Sequence, residues 1–274
     1  MKNWLITGAS RGLGKAMAQT ALSRGDKVVL AGRRLGAVQA VADAEPSRAL
    51  AVQIDVTDGE SVRRGTAEAI AWSPSIDVLV NNAGHGLHGA VEEVSDEEAR
   101  EVFEVNFFGQ LRVLRAVLPH MRRQRRGHVI NIGSISGLLS AAGTGLYSAT
   151  KFALEGVSEA MQAELAPLGV FVTIVEPGPF RTDFNGTSLL RAEAPIDDYS
   201  DTAGRRTASL RTTSGKQSGD PVKAAELIYK IAGSDAPPLH LVLGDIAIER
   251  ARGKLRALAS EIDAWEAPSR ATAY

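Results

Sequence analysis

Close to the start of the chain, Thr7-Gly8-Ala9-Ser10-Arg11-Gly12-Leu13-Gly14 follows an apolar run, Asn3 to Thr7, and opens a helical pattern. Glycines at these positions allow a sharp turn and a close approach of backbone to a ligand. A helix N-terminus directly behind them presents N–H groups and a positive dipole end to a pyrophosphate. Strand, glycine loop and helix in that order begin a βαβ unit, which forces parallel pairing and a right-handed crossover. Outward from this stretch, continuous apolar runs recur at Lys27 to Ala31, Ala49 to Ile54, Asp77 to Asn81 and His128 to Ile132, separated by helical patterns. Runs that are apolar throughout, rather than alternating, belong to strands covered on both faces. Phe171 to Val175 and Leu239 to Leu243 extend the same sheet. The expectation is one α/β domain over residues 1–274, a doubly wound (Rossmann) parallel sheet of about seven strands with helices on both faces.

Composition supports this and removes several function classes. A chain of 274 residues that is 44% hydrophobic can bury a large core. Lys and Arg number 31 against 32 Asp and Glu, a net charge of −1, so no bulk positive field attracts nucleic acid or anionic lipid. Cysteine is absent, which removes disulfides, thiolate nucleophiles and Cys-based zinc sites and fits a reducing compartment. No apolar run approaches the roughly 18 to 20 residues that span a bilayer, and no signal-peptide core precedes Trp4-Leu5-Ile6. A soluble, cytoplasmic protein with neither nucleic acid nor membrane as partner is expected.

Helix signals fix the spacing of the middle of the chain. Ser95 with Glu98 forms a capping box, opening a long helix that runs to Arg122-Arg123-Gln124-Arg125-Arg126 and stops at Gly127. Cations in a last turn complement the helix dipole, so this basic cluster reads as a solvated helix end. Asp220-Pro221 caps and starts the helix before the last strand. Between Phe184 and Gly219 the pattern dissolves into Ser, Thr, Gly and scattered charge. Its place beyond the C-terminal end of the sixth strand, where open α/β sheets bind ligands, predicts a substrate lid. A helical tail follows Gly244 and continues through Trp265.

The end of the second strand discriminates between cofactors. An acidic residue about 20 positions past the glycines would bind a ribose 2′-hydroxyl and mark NAD. The strand end here reads Ala31-Gly32-Arg33-Arg34, and Asp26 lies before the strand. Arg33, with Arg11 from the glycine loop, supplies planar forks suited to a 2′-phosphate, and Arg34 stands beside them. NADP is the expected cofactor.

The T-G-x-x-x-G-x-G spacing is joined by Tyr147-Ser148-Ala149-Thr150-Lys151, by Ser134 thirteen residues before the tyrosine, and by Asn106 within the long helix. In this combination, which covers most of the chain, the sequence resembles the short-chain dehydrogenase/reductase family with its Asn-Ser-Tyr-Lys tetrad. The resemblance implies that Gly8, Ser10, Gly12, Leu13 and Gly14 cradle the cofactor. It further implies that Asp55 and Val56 contact the adenine, and that Asn82, Ala83 and Gly84, in the motif Asn81-Asn82-Ala83-Gly84, line the cofactor at the end of the fourth strand. Pro177-Gly178-Pro179-Phe180-Arg181-Thr182 resembles the segment beside the nicotinamide, with Pro177, Gly178 and Phe180 against the ring and Thr182 bonding the carboxamide. Phe180 is bulkier than the Ile or Val of the family pattern. A homodimer or homotetramer through the helices at Ser95 to Arg126 and Tyr147 to Ala166 is implied too, with the tail after Gly244 available to cover a second interface.

The chemistry explains the tetrad. Hydride transfer between a nicotinamide and a carbonyl carbon builds negative charge on oxygen, which needs a proton donor and hydrogen-bond support. Tyr147 and Lys151, four residues apart, share one helix face. Tyr147 is the expected acid–base, with Lys151 and a bound nicotinamide cation together lowering its pKa from about 10, and Lys151 also binding the cofactor ribose. Ser134 would orient the substrate oxygen, and Asn106 would hold a water linking Lys151 to solvent. His85 and His88 sit among glycines without a nearby carboxylate, so no metal site is expected, and His85 is read as a pocket residue. Ile135 to Leu146 carries no charged residue, which points to a hydrophobic, uncharged carbonyl or alcohol substrate. Two other readings stand beside this oxidoreductase: an NADP(H)-binding sensor without turnover, and an enoyl (C=C) reductase.

Overall fold

The structure, a computed structural model, describes residues 1–186, 189–213 and 215–274. Its strands are β1 (Asn3–Thr7), β2 (Lys27–Gly32), β3 (Ala49–Gln53), β4 (Val78–Asn81), β5 (Gly86–His88), β6 (Gly127–Ile132), β7 (Val170–Pro177), β8 (Leu189–Arg191) and β9 (His240–Leu243). The helices are α1 (Gly12–Ser23), α2 (Leu35–Ala42), α3 (Gly59–Trp72), α4 (Asp96–Phe103), α5 (Gln110–Gln124), α6 (Gly145–Leu165), α7 (Arg205–Thr213), α8 (Pro221–Ala232) and α9 (Asp245–Arg270). Seven strands form one parallel sheet in the order β3-β2-β1-β4-β6-β7-β9. The doubly wound expectation is borne out. The strand order reverses between β1 and β4, which opens a crevice at their C-terminal ends.

Side chains of each strand alternate between two apolar layers. Trp4, Ile6, Val28, Leu30, Val80 and Ile130 face one side, packed on α1, α2 and α8. Leu5, Val29, Leu79, Val129 and Val172 face the other, under α3, α5 and α6. Both sets are almost wholly buried, which is why the runs read as continuously apolar. Among the described residues, no helix is long and apolar enough to cross a membrane.

Two local expectations are corrected. The long helix is not continuous: a π-helical turn, Glu104–Gly109, separates α4 from α5. Its start is as read, with Ser95 Oγ accepting from Glu98 N at 3.2 Å and Glu98 Oε2 accepting from Ser95 N at 2.8 Å. The stretch from Phe184 to Gly219 is not patternless either, although Thr187, Ser188 and Ser214 lie outside the described residues. β8 pairs with β5 in a two-stranded parallel sheet, and α7 follows a second π-helical turn, Ser200–Gly204. Carboxylates around α4 hold this segment down. Glu98 Oε1 accepts from Glu193 N at 3.1 Å, Glu93 Oε1 accepts from Ile196 N at 2.9 Å, and Glu92 Oε2 accepts from Tyr199 Oη at 2.6 Å.

Glu93 also accepts from Ala90 N at 2.6 Å, so one side chain ties two backbone segments. Glu93→Ala should therefore speed amide exchange across residues 189–199 by about tenfold or more while leaving β1 and β4 protected. Hydrogen-exchange mass spectrometry of the two proteins measures this, and equal exchange would show that the segment is held by other contacts.

Candidate active site

The crevice at the strand reversal is a cleft of about 460 Å³. Its rim begins with the glycine loop, in which Gly8 (φ 64°) and Gly12 (φ 56°) take left-handed backbone conformations. A Cβ on Gly14 would collide with the Gly8 carbonyl oxygen and lie 2.5 Å from Asn82 Nδ2, so α1 can approach the loop this closely only with glycine there. Thr7 Oγ1 accepts from Asn82 N at 2.9 Å and from Ala83 N at 3.1 Å. In return Asn82 Nδ2 donates to the Thr7 and Gly8 carbonyls at 2.9 and 3.1 Å. Asn82 thus holds the loop in shape as well as lining the cleft. Arg11, the N-cap of α1, offers no side-chain cap to the first turn of that helix, as a site that receives an anion requires.

Most sequence-predicted cofactor residues line this cleft: Gly8, Ser10, Arg11, Gly12, Leu13, Arg33, Asp55, Val56, Asn82, Ala83, Gly84, Tyr147, Lys151, Pro177, Gly178, Phe180 and Thr182. Three of the predicted site residues do not. Gly14 is buried beneath the loop, Arg34 is an exposed residue preceding α2, and Asn106 lies under the floor, fully buried. Asp26 is excluded as a ribose ligand, because its carboxylate accepts from Lys2 N at 2.7 Å and Trp4 Nε1 at 3.0 Å on the far side of the sheet end. Asp55 Oδ1 accepts from both Thr57 N and Thr57 Oγ1, at 3.0 and 2.7 Å, which fixes the carboxylate at the rim. Thr182 faces Gly12 across a narrow gap: a Cβ on Gly12 would lie 3.6 Å from Thr182 Cβ. A dinucleotide fits between these walls, with its phosphates on the glycine loop.

At the other end, α6 carries Tyr147 and Lys151 on one face, both almost fully buried. Ser134, just past β6, lines the same end of the cleft as Tyr147 and acts on its phenol. Its Oγ accepts from Ser136 N at 3.0 Å, which orients it. Lys151 Nζ donates to the Ile132 carbonyl at 2.8 Å and stands 5.9 Å from the Tyr147 ring centroid. Before a nicotinamide cation is bound, desolvation governs the phenol. Burial pushes Tyr147 up to about 12, only partly opposed by Ser134. Burial likewise pulls Lys151 down to about 8, opposed by the charge of Glu155. Two desolvated groups both move toward their neutral forms.

Asn106 also has a role that the sequence did not announce. Its Oδ1 accepts from His85 N at 2.9 Å, and its Nδ2 donates to the His85 carbonyl at 2.8 Å and to Thr150 Oγ1 at 3.3 Å. The side chain therefore clamps the peptide of His85 to α6 with both amide hydrogens engaged, while Oδ1 keeps one lone pair for a water to donate to. It reaches that peptide from the π-helical turn, a feature often found at functional sites. His85 lines the cleft as read, and desolvation lowers its pKa. His88 is buried within β5, where the same cause lowers it to about 4.

Sequence reasoning missed three contributors. Phe184 places its ring 5.9 Å from the Tyr147 ring and, with Leu87, Val102 and Leu146, encloses the phenol in apolar contacts. Leu190, on β8, also lines the cleft. Behind Lys151, two buried carboxyls, Glu155 and Glu176, meet the exposed His240, with His240 Nδ1 2.7 Å from Glu176 Oε1 and 3.7 Å from Glu155 Oε2. Gly133 and Gly137 make room for Glu155: a Cβ on Gly137 would lie 2.6 Å from its Oε1. The glycines flanking Ser134 thus have a packing reason.

The comparisons agree with this geometry. Residues 2–192 match the family model described as short chain dehydrogenase. An oxidoreductase of Botryotinia fuckeliana is 34% identical over 273 residues, covering 99% of both chains. A 3-ketodihydrosphingosine reductase of Bacteroides thetaiotaomicron is 36% identical over 247 residues, 88% of this chain and 87% of the relative. Among solved structures, a short-chain dehydrogenase from Streptomyces avermitilis superposes with a TM-score of 0.93 at 42% identity over 100% of both chains. A Burkholderia phymatum short-chain dehydrogenase/reductase in complex with NAD gives 0.84 at 27% identity, covering 96% of this chain and 95% of its own. An alcohol dehydrogenase from Thermococcus sibiricus complexed with 5-hydroxy-NADP gives 0.73 at 27%, covering 89% and 96%. The chain belongs to the short-chain dehydrogenase family and is an oxidoreductase of that family, whose members bind nicotinamide dinucleotides.

The buried carboxyl behind Lys151 generates a pH prediction. Burial and the neighbouring Glu176 and Glu159 push the Glu155 pKa up to about 8, partly opposed by Lys151. A folded-state pKa above the unfolded value means stability that is fully present at low pH and lost as pH rises toward about 8. Glu155→Gln removes that loss, so melting temperatures at pH 5 and pH 9 should show the variant gaining on the wild type at the higher pH. The gain should reach at least about 1 kcal/mol, given 1.36 kcal/mol per pKa unit. A gap independent of pH would show that Glu155 is ionised in the folded protein.

Proposed function

We propose that the protein interconverts a carbonyl and an alcohol on a hydrophobic, uncharged small molecule, using NADP(H). The observation that carries the reading is the gathering of Ser134, Tyr147 and Lys151 at one end of a cleft whose other end is lined by Arg11 and Arg33. When bound, the cofactor supplies or accepts the hydride. The residues of the chain do the rest. Ser134 Oγ and Tyr147 Oη converge on the position of the substrate oxygen, where they support developing negative charge. Tyr147, held protonated by burial, donates its phenolic proton to that oxygen during reduction. Lys151, anchored by the Ile132 carbonyl, stands where it can bind a ribose hydroxyl and favour the phenolate left behind. Phe184 and Leu190 help to exclude water and favour an apolar substrate body. The 184–219 segment acts as the lid, opening by release of the β5–β8 pairing and of the carboxylate contacts to α4. The name of the Bacteroides relative, a 3-ketodihydrosphingosine reductase, accords with reduction of a ketone.

Arg33→Ala tests the cofactor. Hydrogen bonds to charged groups are worth roughly 1.5 to 3 kcal/mol, so the variant should lose about tenfold or more of NADPH affinity while NADH affinity stays put. Fluorescence titration of both cofactors reads this directly, and an unchanged ratio would remove Arg33 from the site.

Tyr147→Phe tests the chemistry. Carbonyl reduction should fall by about 10² to 10⁴ with NADPH affinity nearly intact, because the ring and its packing remain. In the wild type, the reverse oxidation needs the phenolate and should accelerate as pH rises above neutral, while reduction should not. Steady-state rates with a panel of ketones and alcohols measure both effects. Wild-type turnover in the variant would refute the mechanism, and tight NADPH binding without turnover of any carbonyl, alcohol or enoyl compound would favour a sensor.

A further inference from the structure

The root of α9 is packed: Ala247 and Ala251 are buried against Ile135, Leu138 and Leu139. Beyond it the helix leaves the body, and every residue from Lys254 to Tyr274 is exposed. Four of these are large and apolar: Leu255 at 66%, Leu258 at 42%, Ile262 at 59% and Trp265 at 68% exposure. Their spacing of three, four and three residues places them on one stripe, and Ile248 and Ala251 continue it back to the root. This is the two-per-heptad seam of a helix that packs against another helix, narrower than the face a helix lays on a domain core. An isolated helical extension of this length is marginal in water, so an apolar seam on it calls for a partner.

Charge identifies the partner. Arg250, Arg252, Lys254 and Arg256 outnumber Asp245 and Glu249 in the first half of α9, and Glu261, Asp263 and Glu266 outnumber Arg270 in the second, where Arg270 is already paired to Glu266 at 2.7 Å. A parallel neighbour of the same sequence would set like charge on like. An antiparallel one sets the net cationic half on the net anionic half, with only Glu261 left beside its own equivalent at the two-fold axis. We propose that α9 pairs antiparallel with α9 of a second copy of this chain. Leu255 then packs on Trp265 of the second copy and Leu258 on Ile262, and the two-fold axis repeats both layers. Arg252 and Glu266 lie on the same edge of the stripe, each one residue past a seam position, and so face each other between copies twice. The present partner of Arg252, Glu249 at 3.8 Å, is an exposed neighbour within the helix and yields at little cost.

The test uses the full chain, with light scattering and sedimentation over a range of concentrations and salt. L258D/I262D should halve the mass of the assembly while leaving the thermal midpoint of the body unchanged. R252E and E266R should each raise the concentration needed for half-assembly several-fold, and R252E/E266R should restore it. The chain has no cysteine of its own, so R252C/E266C should oxidise to a covalent dimer while neither single variant does. An assembly mass indifferent to L258D/I262D overturns the proposal, as does self-crosslinking of R252C alone, which would mean parallel helices. Binding of the wild type to anionic phospholipid vesicles with no loss of mass in L258D/I262D would also overturn it, and would assign the stripe to a membrane surface.

Discussion

The arrangement depends on the hydrogen bonds between the ends of β1 and β4. Strand order reverses there, and a crevice with bare strand ends would leave its polar backbone unsatisfied unless something bridged it. Thr7 and Asn82 provide the bridge, each side chain bonding to the other strand's backbone. Because Asn82 reaches back to the Gly8 carbonyl, the loop is drawn in until no Cβ fits on Gly14. The first turn of α1 is thereby aimed at the cleft, and everything that would hold a dinucleotide follows from that placement.

A second constraint acts at the other end, where charge is buried. Lys151 is desolvated beside a phenol on one side and Glu155 on the other, and Glu155 in turn is near Glu176 and His240. The protein tolerates this row because Tyr147, Lys151, Glu155 and Glu176 shift toward their neutral forms, and because Lys151 keeps a strong acceptor in the Ile132 carbonyl. The Tyr147 phenol is accordingly held in its protonated form.

Much of this was legible in the sequence. Continuous apolar runs marked all seven strands of the main sheet because each is covered on both faces. The glycine loop and the spacing of Ser134, Tyr147 and Lys151 carried the site, because their geometry is local to one loop and one helix. What escaped was non-local or short. β5 and β8 have three residues each and pair only with each other, about a hundred positions apart. The π-helical turn keeps the apolar spacing of an ordinary helix, so nothing in the pattern announced that Asn106 reaches the His85 peptide. Glu155, Glu176 and His240 come from α6, β7 and β9, and only the closed sheet brings them together.

The long C-terminal helix has a mechanical consequence. At 1.5 Å per residue its 26 residues make a rod about 39 Å long. The rod is seated on the apolar segment that leads from Ser134 to the pocket wall. A tilt of about five degrees at Ala247 moves its far end by roughly 3 Å, and conversely a far end held in place fixes the seat to a fraction of an ångström. The rod thus works as a lever with its short arm under the loop that follows Ser134, so that whatever grips its tip stiffens that loop.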